Sequence, residues 1–295
     1  MKQRTHACVF FNGWLFLFLL MPFIGVAQQD LSGEKRYVLQ KDSLSFERYC
    51  SQMEASKRLA TGDLMVETAR FFLGKPYVGG TLEIVPEKLV VNLSELDCLT
   101  LVENVMALTW TVKQGGTFLD FQNRLKNIRY RQMKGEKLTY VDRLHYTSDW
   151  IYENEKRGLM RDVTQEIGGK PYTFDLSFMS THPDSYKQLK GNPDAIAAIV
   201  KIEKEINTRT YFYIPQEEIC LRAKQIRQGD IICFVTTIKG LDISHLGIAC
   251  WLGDTLTFIH ASSDKKQVIV NDVPLDVYVQ NVKRHCGVIV LRPMF

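Results

Sequence analysis

Leu96-Asp97-Cys98-Leu99-Thr100-Leu101-Val102-Glu103-Asn104-Val105-Met106-Ala107-Leu108 opens on an acidic residue and a cysteine, then runs through mostly apolar side chains. No Gly or Pro occurs between Cys98 and Gln114, whereas Gly79-Gly80, Pro86 and Asn92 mark the upstream segment as loop. The pattern predicts a buried helix that starts at or near Cys98. Asp97 is placed to cap it, with Ser94 helping to close the turn. A cysteine in a first helical turn meets unpaired N–H groups and the positive end of the helix dipole, which favour thiolate over thiol. Cys98 is therefore a candidate nucleophile. The alternative is a small buried hydrophobe at a helix start.

Outward to the N-terminus, residues 1–27 read as a signal peptide. Lys2 and Arg4 precede an apolar run from 9 to 26, and Gly25-Val26-Ala27 supplies small residues for cleavage before Gln28-Gln29. An uncleaved anchor is the alternative, which Pro22 and Gly25 disfavour. Removing Lys2 and Arg4 takes the formal charge from +4 to +2. A nearly neutral chain with no basic run gives no reason to expect a nucleic acid or an acidic membrane surface as partner. The expectation is a soluble, exported protein, periplasmic and monomeric.

With 45% apolar and 24% charged residues, the remainder has the composition of an ordinary globular protein. Six cysteines follow residue 27: Cys50, Cys98, Cys220, Cys233, Cys250 and Cys286. None form a C-x-x-C pair or match a zinc spacing, so no metal site is expected. Cys233 and Cys250 sit in apolar, strand-like runs and read as core, although an oxidising compartment permits disulfides.

Residues 28–60 read as a helical N-terminal extension and 61–295 as one catalytic domain, with an insertion at about 114–226 that is mostly helical. Within the domain, 63–73 has amphipathic helical spacing, 118–127 is a second helix, and Asn192-Pro193 caps a third with Ile196, Ile199, Ile202 and Ile206 as its stripe. Arg143-Leu144-His145-Tyr146-Thr147-Ser148-Asp149-Trp150 is dense in aromatic and hydrogen-bonding groups, suited to a sugar or peptide pocket or else to a helix start with a buried Trp. After residue 230 the period becomes strand-like over 231–237, 244–252, 255–261, 268–271 and 287–292, which predicts an antiparallel meander. The class is α+β, a nucleophile helix packed on an antiparallel sheet.

Gly253-Asp254 reads as a two-residue hairpin turn. Its register sets Gly247 opposite His260 and puts His245 and His260 on one face as diagonal neighbours, with Gly247 leaving room between them. If the Cys98 helix packs on that face, His245 is a general base and His260 holds its ring. The alternative is an edge histidine and a satisfied core histidine.

Gly74-Lys75-Pro76-Tyr77-Val78-Gly79-Gly80, Asp97-Cys98, His245-Leu246-Gly247-Ile248 and Ile259-His260-Ala261 together resemble the NlpC/P60 cell-wall peptidases. Leu99-Thr100 departs from their usual Ser-Gly. With Thr81-Leu82-Glu83, Arg143-Leu144-His145-Tyr146, Lys239-Gly240-Leu241-Asp242-Ile243-Ser244 and Ser262-Ser263, the chain from about residue 60 more closely resembles the N-acetylmuramoyl-L-alanine amidase-like family, formerly DUF1460. The resemblance implies a circularly permuted papain-like fold and a chemistry that needs no metal or organic cofactor. It also implies cleavage of the amide between N-acetylmuramic acid and L-alanine, with a preference for 1,6-anhydro-muropeptides. Carried over, Cys98 is nucleophile, His245 base and His260 third member, with Tyr77, Arg143, His145, Tyr146, Trp150, Asp242 and Ser244 on the substrate side. Rival readings are a γ-D-glutamyl-diamino acid endopeptidase, a transacylase on the same fold, and a non-catalytic murein-binding module.

Overall fold

A computed structural model describes residues 33–131 and 137–295. The expected signal peptide lies outside the described residues. The chain runs α1 (Gly33–Met53), α2 (Thr61–Arg70), α3 (Cys98–Gln114), α4 (Phe118–Arg129) and α5 (Thr147–Lys156). Strands β1 (Met160–Asp162) and β2 (Lys170–Tyr172) come next, then α6 (Phe178–Thr181), α7 (Pro193–Ile206), β3 (Tyr211–Pro215) and α8 (Ile219–Arg222). The last third is β4 (Ile231–Thr236), β5 (Ile243–Leu252), β6 (Thr255–Ser262), β7 (Gln267–Val270), α9 (Leu275–Asn281) and β8 (His285–Pro293).

Eight strands form one sheet in the order β2-β3-β8-β4-β5-β6-β7, with β1 also against β8. Strands β4 to β7 are the expected meander. Then β8 returns beyond α9 to pair antiparallel with β4. The 114–226 segment is mostly helical, as expected, with α4 to α8, and it also supplies the short strands β1, β2 and β3, which widen the sheet. Helix α7 keeps its expected cap, the Asn192 side chain accepting from the Ala195 N–H, and ends at Ile206.

The sheet carries a core on each face. On one, Leu101, Val102, Val105, Met106 and Leu108 of α3 are fully buried with Leu64 and Met65 of α2 against Leu246, Ile248, Ile259 and Ile289. Burying each such side chain contributes about 1.5–3 kcal/mol, so α3 is held by packing far more than by helix propensity. On the other face, Ile232, Phe234, Phe258, Val288 and Val290 pack on Leu275 and Val279 of α9.

Candidate active site

The nucleophile candidate is placed by its cap. Asp97 accepts from the Thr100 N–H at 2.8 Å, and Thr100 Oγ1 accepts from the Asp97 N–H at 2.9 Å. This reciprocal box starts α3 at Cys98. The partner is Thr100 and not Ser94, whose own N–H is taken by Asn92 in a local turn. The strip before α3 is tied to the sheet edge. Val268 N–H donates to Lys75 O, Tyr77 N–H to Lys266 O and Val78 N–H to Leu96 O, so β7, Tyr77 and Cys98 are fixed together.

Strands β5 and β6 pair with Ile248 opposite Ile259 and Leu252 opposite Thr255, the register expected from a two-residue turn at Gly253-Asp254. Continued past Ile248, it brings His245 Nε2 to 2.7 Å from His260 Nδ1, with the rings at 85° to one another. Gly247 does give room, but to an aromatic ring: a Cβ there would lie 2.6 Å from Phe258. His260 is 2% exposed and packs its ring at a tilt to Phe258 and edge-on to Tyr278.

The face differs from expectation. His245 pairs directly with Phe234, and Ala249 with Phe258, so both imidazoles share the side of the sheet that packs on α9. Helix α3 covers the opposite side. Cys98, as the first residue of α3, reaches the backbone of Leu246, the residue between His245 and Gly247.

Burial pushes the Cys98 thiol up to about 12, and the Asp97 charge adds to this. The N–H groups of Leu246, Leu99 and Cys98 pull the other way but do not prevail. The expected resting thiolate is therefore not what this site favours. Burial, then the neighbouring His260, His285 and Arg284, hold His245 well below its ordinary value. Burial takes His260 down to about 4. Thiol and both imidazoles rest neutral, and a proton must move when substrate is attacked.

Of the substrate-side expectations, three residues come together near Cys98. Tyr77 is half-buried, its phenol raised by burial and then by the Cys98 and Asp97 charges. Arg143 and His145 line a cavity of about 210 Å³ whose wall includes Asp97 and Leu99, on either side of Cys98. Arg143 donates to Glu83 Oε1 at 2.7 Å and to Leu82 O at 3.2 Å. His145 Nε2 lies 2.8 Å from Tyr140 O, and burial beside Arg143 pushes it down to about 3.

The other four do not line that cavity. Trp150 is fully buried in the core, and Tyr146 donates from within it to Glu203 Oε1 at 2.7 Å. Asp242, 2% exposed, accepts from the Ser148 N–H at 2.6 Å and so caps α5 from the residue before strand β5. These three hold scaffold, a correction to their expected place at the substrate. Ser244 is half-buried beside His245, outside the cavity wall.

The sequence reading missed Glu103 and Arg129, which form a buried ion pair at 2.7 Å in the cavity wall. The available signal was a carboxylate isolated in an apolar helical run, which must find a cation. It also missed Tyr278, whose ring touches those of Phe234, Phe258, His245, His260 and His285. Nothing in the sequence marks that tyrosine.

The antiparallel α+β fold has solved counterparts. An N-acetylmuramoyl-L-alanine amidase from Bacteroides uniformis ATCC 8492 superposes with a TM-score of 0.73 at 38% identity, over 79% of this chain and 98% of that one. A Bacteroides fragilis structure provisionally described as that of a xylanase gives 0.71 at 37% identity, over 77% and 99%. A DUF1460 protein from Legionella pneumophila, 24% identical over 88% and 97%, shares the fold with a TM-score of 0.66. No curated protein matches the sequence. The chain belongs to the AmiA-like, N-acetylmuramoyl-L-alanine amidase-like family, whose model matches residues 67–288.

Proposed function

We propose that the chain is a cysteine-dependent N-acetylmuramoyl-L-alanine amidase acting on peptidoglycan fragments. The observation that carries this is the His245–His260 contact of 2.7 Å next to the strand backbone at which Cys98 sits. His245 spends Nε2 on His260, which leaves Nδ1 to take the thiol proton. The sulfur then attacks the lactyl carbonyl. Open N–H groups at the start of α3 meet the oxyanion, since first-turn N–H groups lack partners inside a helix. Protonated His245 returns the proton to the leaving alanine nitrogen. Water, deprotonated by His245, frees the sugar acid from the thioester.

The family and the B. uniformis relative support the amidase reading. The name of the B. fragilis neighbour suggests a glycosidase, which would need a pair of free carboxyl groups flanking the bond. The carboxylates near Cys98 are engaged otherwise: Asp97 caps α3, Glu103 pairs with Arg129, and Glu83 pairs with Arg143. We further propose the circularly permuted papain-like, NlpC/P60 assignment, a preference for 1,6-anhydro sugars, and export as a monomer to the periplasm with cleavage after Ala27. The described residues contain no helix long and apolar enough to cross a membrane.

The test is mass spectrometry of soluble muropeptides incubated with the protein from Gln28 onward or its Cys98→Ala variant. Free sugar acid plus intact stem peptide from the wild type alone is the expected result. Diamino acid-containing peptides that lack L-alanine and glutamate, with those two residues left on the sugar, would replace the amidase by the endopeptidase, and no product from folded wild type would leave a binding module. Anhydro and reducing-end substrates compared side by side give the preference.

A further inference from the structure

Helix α1 and the strip ahead of α3 enclose a second cavity, of about 490 Å³, whose lining includes Lys41, Leu44, Ser45, Arg48, Lys75 and Ser94. Lys41, Leu44, Ser45 and Arg48 stand three and four residues apart along α1, which puts them on one helix face. Phe46 and Tyr49 anchor α1 in the core from another face. Lys75 enters from the strip, so three cations meet from separate parts of the chain without forming a basic run.

Cations gathered in this way repel one another. Burial, then the charge of Arg48, takes Lys75 down to about 8, with Lys41 adding to this and Asp42 opposing it. Asp42 is 2% exposed and its Oδ1 accepts from the Leu93 N–H at 2.9 Å, which puts it behind the cavity wall. Lys75 is held by Leu93 O at 2.5 Å and by the faces of Phe71 and Phe72, 4.5 and 4.6 Å from the ring centroids. Among the described residues, Lys41, Arg48 and Lys75 form no ion pair. Set against Asp42, they leave an excess of two positive charges.

That excess matches a phosphate monoester, at roughly −1.5 to −2 near neutral pH, better than a single carboxylate. Arg48 offers a guanidinium fork, Lys41 and Lys75 offer point charges, and Ser45 and Ser94 offer hydroxyl donors. The volume falls in the ~300–1,000 Å³ range of small-molecule sites, more than a bare phosphate fills. Leu44, 57% exposed in the wall, gives an apolar surface for whatever carries the phosphate.

We propose that this cavity binds a phosphate monoester, with Lys41 and Arg48 gripping the phosphate beside Lys75 and Leu44 against its carrier. It shares no lining residue with the cavity next to Cys98 and stands independently of the amidase reading.

The test titrates the chain from Gln28 onward with glycerol 3-phosphate at fixed ionic strength, by calorimetry and amide NMR. Saturable binding is expected, with shifts over residues 40–48 and at Ser94. Glycerol should not bind, and acetate or L-alanyl-γ-D-glutamate should compete poorly. Lys41→Gln combined with Arg48→Gln, both on exposed helix surface, should weaken binding by roughly tenfold or more and leave the thermal transition near that of the parent. Lys201→Gln, on the exposed surface of α7, should leave binding unchanged. No binding of glycerol 3-phosphate, full binding by the double variant, shifts scattered outside the cavity, or equal competition by the carboxylates overturns the site. Phosphatidylcholine vesicles with and without phosphatidic acid distinguish the source. Sedimentation of the wild type but not the double variant with phosphatidic acid identifies a lipid headgroup, whereas binding of glycerol 3-phosphate without sedimentation identifies a soluble phosphate monoester.

Discussion

His245 Nε2 and His260 Nδ1 are 2.7 Å apart, so one nitrogen donates and the other accepts. For His245 to act as a base through Nδ1, its Nε2 must carry the proton and His260 must be protonated on Nε2. His260 then fixes both the tautomer and the tilt of its neighbour. His260→Ala should lower kcat by roughly 10²-fold or more while KM changes little, in line with the worth of an oriented general base. His260→Asn, which keeps an acceptor, should recover part of the loss. Equal losses in both variants, measured on folded protein, would show that the contact is only packing.

Cys98 is predicted to be a protonated thiol at rest. Its rate of alkylation by iodoacetamide should climb steadily through neutral pH and show no plateau below pH ~9, because the alkylating species is the thiolate. A plateau near neutrality would mean a preformed thiolate–imidazolium pair. Cys98→Ala should abolish hydrolysis yet unfold within a few degrees of the parent, since only a half-buried thiol is removed.

Acid should destabilise the fold. His260 and His285 are each 2% exposed, and burial takes both down to about 4 from an ordinary 6.5. Between those values the unfolded chain binds more protons than the folded one, so stability rises with pH and is lost as pH falls below 6.5. By pH ~5 the cost is on the order of 2 kcal/mol for each histidine. Denaturant titrations at pH 7 and pH 5 should show this. A double replacement of His260 and His285 by Gln should lessen the dependence without abolishing it, because His145 and His245 are held low by burial as well; an unchanged slope would reject the assignment.

Trp150 is predicted to matter for stability and not for substrate. Trp150→Phe should cost ~1–3 kcal/mol, a large-to-small change in a packed core, with KM unchanged. A raised KM at unchanged stability would return Trp150 to the substrate side.

Legibility in the sequence followed the locality of the cause. Asp97 and Gly253-Asp254 act through neighbours three or fewer residues away, so the start of α3 and the β5–β6 register could be read directly. Strands β1 and β2 have three residues each, too few for an alternating pattern, and exist because β8 and β3 supply their partners. Tyr146 and Asp242 looked like pocket residues because buried and ligand-facing polar groups share the same residue types. Only the long-range partners, Glu203 and the Ser148 N–H, tell them apart. The face occupied by α3 was beyond reach for the same reason: alternation says that two histidines share a side, not which helix covers it.

The approach of α3 and the imidazoles from opposite sides of β5 ties activity to completeness of assembly. The thiol is synthesised well before its base, and a nascent or clipped chain ending ahead of β5 holds a cysteine with no proton acceptor in place. Titrated thiol and turnover therefore count different populations, all chains and finished ones, and their ratio gauges how much of a preparation has matured.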